Sequence, residues 1–81
     1  MPTVLRVGRY RFLFWAHENQ EIGERPHIHV VSAEREAAFW LAPVELRYNE
    51  GYTDREINRI ERLVVAHQSE LLRRWSDFFG E

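Results

Sequence analysis

Eighty-one residues with a net charge of −2 and no cysteine allow one hydrophobic core, exclude disulfide staples and thiolate metal sites, and argue against a protein that coats nucleic acid through bulk charge. Five Phe, three Trp and three Tyr supply the bulk that so short a chain needs, since each aromatic can bury roughly 150–250 Å². No apolar run approaches the roughly 20 residues that cross a bilayer, and Met1 to Val7 lacks the pattern of a secretory signal. The chain therefore reads as a single cytoplasmic domain over residues 1–81 with no membrane partner.

Taken in chain order, Thr3 to Val7 is rich in β-branched residues and ends at Gly8-Arg9, after which Tyr10 to Trp15 continues with aromatics, so the two segments predict a hairpin or a kinked pair of strands. Alternation puts Tyr10, Phe12 and Phe14 on one face, expected to be core, and Arg11, Leu13 and Trp15 on the other. Residues 16–26 are polar and stop at Pro26, which marks a loop. His27 to Val31 alternates again, with Ile28 and Val30 opposite His27, His29 and Val31. Glu36 to Leu41 returns as a strand with Ala37, Phe39 and Leu41 opposite Ala38 and Trp40, and Pro43 interrupts it. Val44, Leu46 and Tyr48 alternate with Glu45 and Arg47, which suits a short fifth strand or a helical turn.

From Thr53 the period changes to that of a helix. Thr53 with Glu56 forms a capping box, and Asp54 adds negative charge to the first turn. Ile57, Ile60, Val64, Leu71 and Phe78 define an apolar stripe, widened by Leu63, Leu72 and Trp75, and Gly80 is the expected stop. The helix is expected from about Asp54 to Phe79, with a bend near Ala66 to Ser69. The fold class is then α+β: an antiparallel sheet of four to five strands packed by one long C-terminal helix.

Pro26-His27-Ile28-His29-Val30 carries the sharpest chemical signal. Imidazoles two residues apart on a strand share a face and stand roughly 6–7 Å apart at their Cα atoms. Three readings follow: an acid/base pair; half of a metal site completed by His17, Glu18, Glu21 or Glu24; or a phosphate site with a nearby Arg. Beside them stands the plain alternative of two half-exposed histidines on the outer side of a strand. The acid/base reading takes His27 and His29 as catalytic, with Arg11 steadying a phosphate and Arg9, Trp15 and Trp40 as binding residues; it requires no cofactor and no metal. All eleven basic residues are Arg, which suits planar recognition of phosphate or carboxylate and equally suits a G+C-rich coding bias. His67 falls on the apolar helical stripe and is expected to bond a backbone or carboxylate group.

MPTVLRVGRYRFLFWAHE at the start, PHIHV in the middle, FWLAPVELRYNEGY before the helix and RRWSDFFG at its end resemble the small bacterial proteins grouped as domain of unknown function 4160. The resemblance covers nearly the whole chain. It implies a partnership with a second small protein encoded nearby, in an arrangement like that of toxin–antitoxin modules, and an RNA-directed toxin; the residues themselves equally suit a non-catalytic module that binds such a protein, or a second copy of itself, through its sheet face or edge. The family's usual loop resembles N-E-x-x-E-P-P before H-I-H-V, whereas Gln20 to Arg25 is longer here and Arg25 replaces the first proline.

Overall fold

The computed structural model describes residues 3–15 and 25–80. Strands β1 (Thr3–Val7), β2 (Tyr10–Leu13), β3 (His27–Ser32), β4 (Arg35–Leu41) and β5 (Val44–Glu50) form one antiparallel sheet in chain order, and helices α1 (Asp54–Ala66) and α2 (Gln68–Phe79) follow. The α+β class and the strand count agree with the patterning; the segment from Val44 is a strand and not a helical turn.

Two-residue turns join β1 to β2, β3 to β4 and β4 to β5, and strands joined so closely can only pair antiparallel. Gly8 adopts φ 57° between β1 and β2, a left-handed conformation that glycine enters without steric cost. At the far side Gly51 has φ 108°, and a Cβ there would meet Arg35 Cγ at 3.0 Å. Asn49 locks the same corner: its Oδ1 accepts from the Tyr52 N–H at 3.0 Å and its Nδ2 donates to the Tyr52 carbonyl at 2.8 Å. The chain thereby leaves β5 aimed into α1.

Thr53 caps α1 as expected. Its hydroxyl accepts from the Glu56 N–H at 3.1 Å while the Glu56 carboxylate takes the Thr53 N–H at 3.3 Å, which satisfies orphan donors that would otherwise face only water. Ile57, Ile60 and Val64 from α1 and Leu71 and Trp75 from α2 are buried against Phe12, Phe14, Ile28, Val30, Phe39 and Leu41 of the sheet. Tyr10, Phe12 and Phe14 are thus core, as their alternation predicts.

The single long helix is instead two helices, divided at His67. Its N–H is shared between the Leu63 carbonyl at 3.1 Å and the Val64 carbonyl at 3.2 Å, and its ring Nδ1 takes the same Leu63 oxygen at 2.8 Å. With φ −110° and ψ 15° His67 leaves helical geometry, a departure of the kind produced when a side chain competes for backbone hydrogen bonds. The expected bend thus becomes a break, and the Gln68 side chain ties the start of α2 to the sheet by donating to the Leu41 carbonyl at 2.6 Å. No helix among the described residues is long and apolar enough to cross a membrane.

Tyr52 supplies a pH dependence. Its hydroxyl lies 2.8 Å from Ser32 Oγ, and burial raises the phenol above its ordinary value of 10.0, with the Ser32 hydrogen bond partly opposing. The folded chain therefore keeps this proton at pH values where the unfolded chain releases it. Stability tied to Tyr52 is intact below 10.0 and falls as pH rises toward the higher folded-state value. Urea midpoints measured from about pH 8 to about pH 11 should fall more steeply for wild type than for Tyr52→Phe; parallel curves would refute the assignment.

Candidate functional site: a walled-in histidine pair

Strand alternation and register place His27, His29 and Val31 on the face of β3 opposite Ile28 and Val30. His27 pairs with Trp40 and His29 with Leu13 and Ala38. The two imidazoles do come together, with ring centroids 5.2 Å apart and planes at 77°. They do not project into water: His27 is 0 % and His29 2 % exposed. The pair is buried, neither open to solvent as the chemical readings require nor half-exposed as in the plain alternative, because aromatic side chains close around it. Trp15 lies 5.1 Å from the His29 ring, and Trp40 and the α2 residue Trp75 lie 5.5 and 5.2 Å from the His27 ring. Trp75 also packs edge-on against Phe14 at 5.3 Å, so one indole joins the helix-side core to the histidines at the end of the sheet.

Each ring is oriented through Nδ1. His27 Nδ1 donates to the Arg25 carbonyl at 2.9 Å, since a carbonyl can only accept. His29 Nδ1 is 3.1 Å from the Tyr48 hydroxyl and 3.4 Å from Glu36 Oε2, and the Tyr48 hydroxyl donates to the same Glu36 oxygen. A Glu36–Tyr48–His29 chain of hydrogen bonds results, of the sort that fixes a tautomer and ring plane.

Tyr48 and Glu36 were not legible as partners of His29. Alternation assigns Tyr48 to the side of Val44 and Leu46, but β5 slips by one residue: Ala38 faces Tyr48 and Phe39 faces Leu46, so Arg47 is extra. A bulge of this kind re-aims the side chains that follow it. Tyr48 thereby turns to the histidines while Leu46 is left 45 % exposed. Arg47 stacks on Trp40 at 4.8 Å and Arg25 on the same indole at 4.1 Å.

The remaining candidates separate. Arg11 shares the histidine face but is set two residue pairs beyond Leu13–His29, opposite Val31, and its Nε reaches Thr3 Oγ1 at 3.4 Å. Arg9 is elsewhere altogether: its guanidinium pairs with Glu56 Oε2 at 3.1 Å, and Arg35 approaches that oxygen at 3.7 Å. It belongs to the start of α1 and not to the histidines, because the β1–β2 turn carries it to the helix side. His17, Glu18, Glu21 and Glu24, the proposed completion of a metal site, lie outside the described residues; among the described residues no group of three or more metal-ligating side chains occurs. His67 bonds a backbone carbonyl, as expected.

The fold and site define a small α+β protein whose five-stranded meander packs helices on one face and encloses a paired-imidazole cluster on the other. The family model for a domain of unknown function (DUF4160) matches residues 10–76, and the chain belongs to that family. Neither a curated protein nor a solved structure matches it.

Proposed function

We propose that this chain is a non-catalytic, protein-binding component of a two-protein module of the toxin–antitoxin type, and that it meets its partner with the end of the sheet where Trp15, Trp40 and Arg25 converge. The observation that carries this reading is the contrast between the histidines and their surroundings. The rings are 0 and 2 % exposed, whereas Trp15 over His29 is 38 % exposed and Arg25 stands exposed on Trp40. Trp and Arg are the residue types that dominate interface energies, and side chains already stacked in place lose less entropy on docking. His27 and His29 act here as positioning residues beneath that surface.

The competing reading is an RNA-cleaving toxin with His27 and His29 as acid and base and Arg11 on the phosphate. Such chemistry needs a ring nitrogen within about 2.6–3.2 Å of a substrate proton, and these rings are enclosed. Docking by strand addition is disfavoured too. Each edge strand carries a register irregularity, between Thr3 and Leu5 in β1 and at Arg47 in β5, and bulged edges resist pairing with another chain.

Co-expression with the product of the neighbouring gene tests the proposal. Trp15→Ala and Arg25→Ala should weaken co-purification by roughly tenfold or more, the effect of losing about 1.4 kcal/mol or more at an interface anchor, while circular dichroism stays that of wild type. If the chain expressed alone arrests growth and degrades RNA, and His27→Ala with His29→Ala abolishes both effects in a folded protein, the toxin reading replaces this one.

A further inference from the structure

Residues of the five strands align into one transverse row at the hairpin end of the sheet, on the face opposite the helices. Arg6 is opposite Arg11, Arg11 opposite Val31, Val31 opposite Glu36, and Glu36 opposite Glu50. Like charges directly across from each other destabilise a sheet, yet this row holds such a juxtaposition at both ends: two arginines on β1 and β2, two carboxylates on β4 and β5. Arg6, Arg11 and Glu50 are exposed. Among the described residues none of those three has an opposite charge within ion-pair distance. Glu36 is one-quarter exposed and bonded to Tyr48.

A row that is positive on one side and negative on the other is complementary to its own copy. We propose that a second copy of this chain docks on this row, face to face, about a two-fold axis that runs parallel to the strands above Val31 of β3, midway between the two sheets. Rotation about that axis lays β1 over the second copy's β5 and β2 over its β4. Arg6 then meets Glu50 of the second copy and Arg11 meets its Glu36, each contact is made twice, and the two Val31 side chains meet at the centre. Stacked sheets lie about 10 Å apart, a gap that an arginine and a glutamate extended toward one another can span. The arrangement is isologous and closes at two copies, whereas joining the oppositely charged edges head to tail would build an open chain. The like-charge pairs within each sheet are thereby neutralised across the interface.

Sedimentation equilibrium of the full chain tests this. Wild type should dimerise at low salt and weaken at high salt, where exposed charges are screened. Arg6→Glu and Glu50→Arg should each weaken self-association about tenfold or more, because each sets like charges against one another across the axis. An equimolar mixture of the two variants should recover the dimer, since the swapped charges again face their opposites. Each variant also replaces a like-charge pair in its own sheet by an opposite one, so its melting temperature should hold or rise, which separates loss of docking from loss of folding. A wild type that stays monomeric at high micromolar concentration, a variant that dimerises as wild type does, or a mixture that stays monomeric overturns the proposal. So does a monomer that binds the neighbouring gene's product through Arg6 and Glu50, which would assign the row to that partner. Trp15 and Arg25 lie at the other end of the sheet, so failure here leaves the partner surface standing.

Discussion

Trp75→Ala is expected to lower the unfolding free energy by about 3–5 kcal/mol, the largest loss from any single truncation in the chain. The indole is 2 % exposed and packs against Phe14 at 5.3 Å, Phe79 at 4.2 Å and His27 at 5.2 Å. Its removal leaves a cavity at the end of the sheet that rigid strands cannot collapse to fill. A chain of 81 residues has roughly 4–12 kcal/mol of stability in all, so the variant should be partly unfolded at physiological temperature. Trp75→Phe keeps a ring in place and should lose less. Urea unfolding followed by far-ultraviolet circular dichroism measures both; a Trp75→Ala midpoint close to that of wild type would show that the indole does not tie the helix-side core to the end of the sheet.

His29→Ala should cost about 2–4 kcal/mol, by combining a cavity with the loss of a partner for Tyr48 and Glu36. Tyr48→Phe should cost only about 0.5–1.5 kcal/mol, because the Glu36 carboxylate at 3.4 Å can still take the His29 Nδ1 proton. The double variant should fall short of the sum by about 0.5 kcal/mol or more, since both substitutions break one hydrogen-bonded chain. This cycle also bears on function. A buried network that orders a binding surface responds through stability, and a catalytic pair would respond through activity with stability little changed. Full additivity of the two losses would show that the tyrosine and the histidine act separately.

The parts of this protein that were legible in its sequence are those governed by neighbours along the chain. Alternation of Tyr10, Phe12 and Phe14 against Arg11, Leu13 and Trp15 reports the pleat of one strand. Thr53 with Glu56 reports a helix start, and Gly80, in the left-handed conformation with φ 74°, reports its end. The proximity of His27 and His29 follows from the same period. All of these depend on backbone geometry over a few residues.

Only the tertiary structure decided what surrounds the histidine pair and where the other site residues fall. Whether His27 is wet or dry depends on Trp75, which arrives from α2, and on Trp40 across the sheet. Whether Tyr48 faces the core or His29 depends on one extra residue in β5, and a bulge reverses the alternation that would have located the side chain. Arg9 and Glu56, separated by 47 positions, meet because a hairpin turn brings one beneath the start of a helix holding the other. His67 divides the helix by competing for the Leu63 carbonyl, a choice open to many histidines and taken here where Gln68 anchors the next turn to Leu41. Burial and register slips are properties of packed surfaces, and a local pattern of apolar and polar residues carries no record of which distant side chain will cover it.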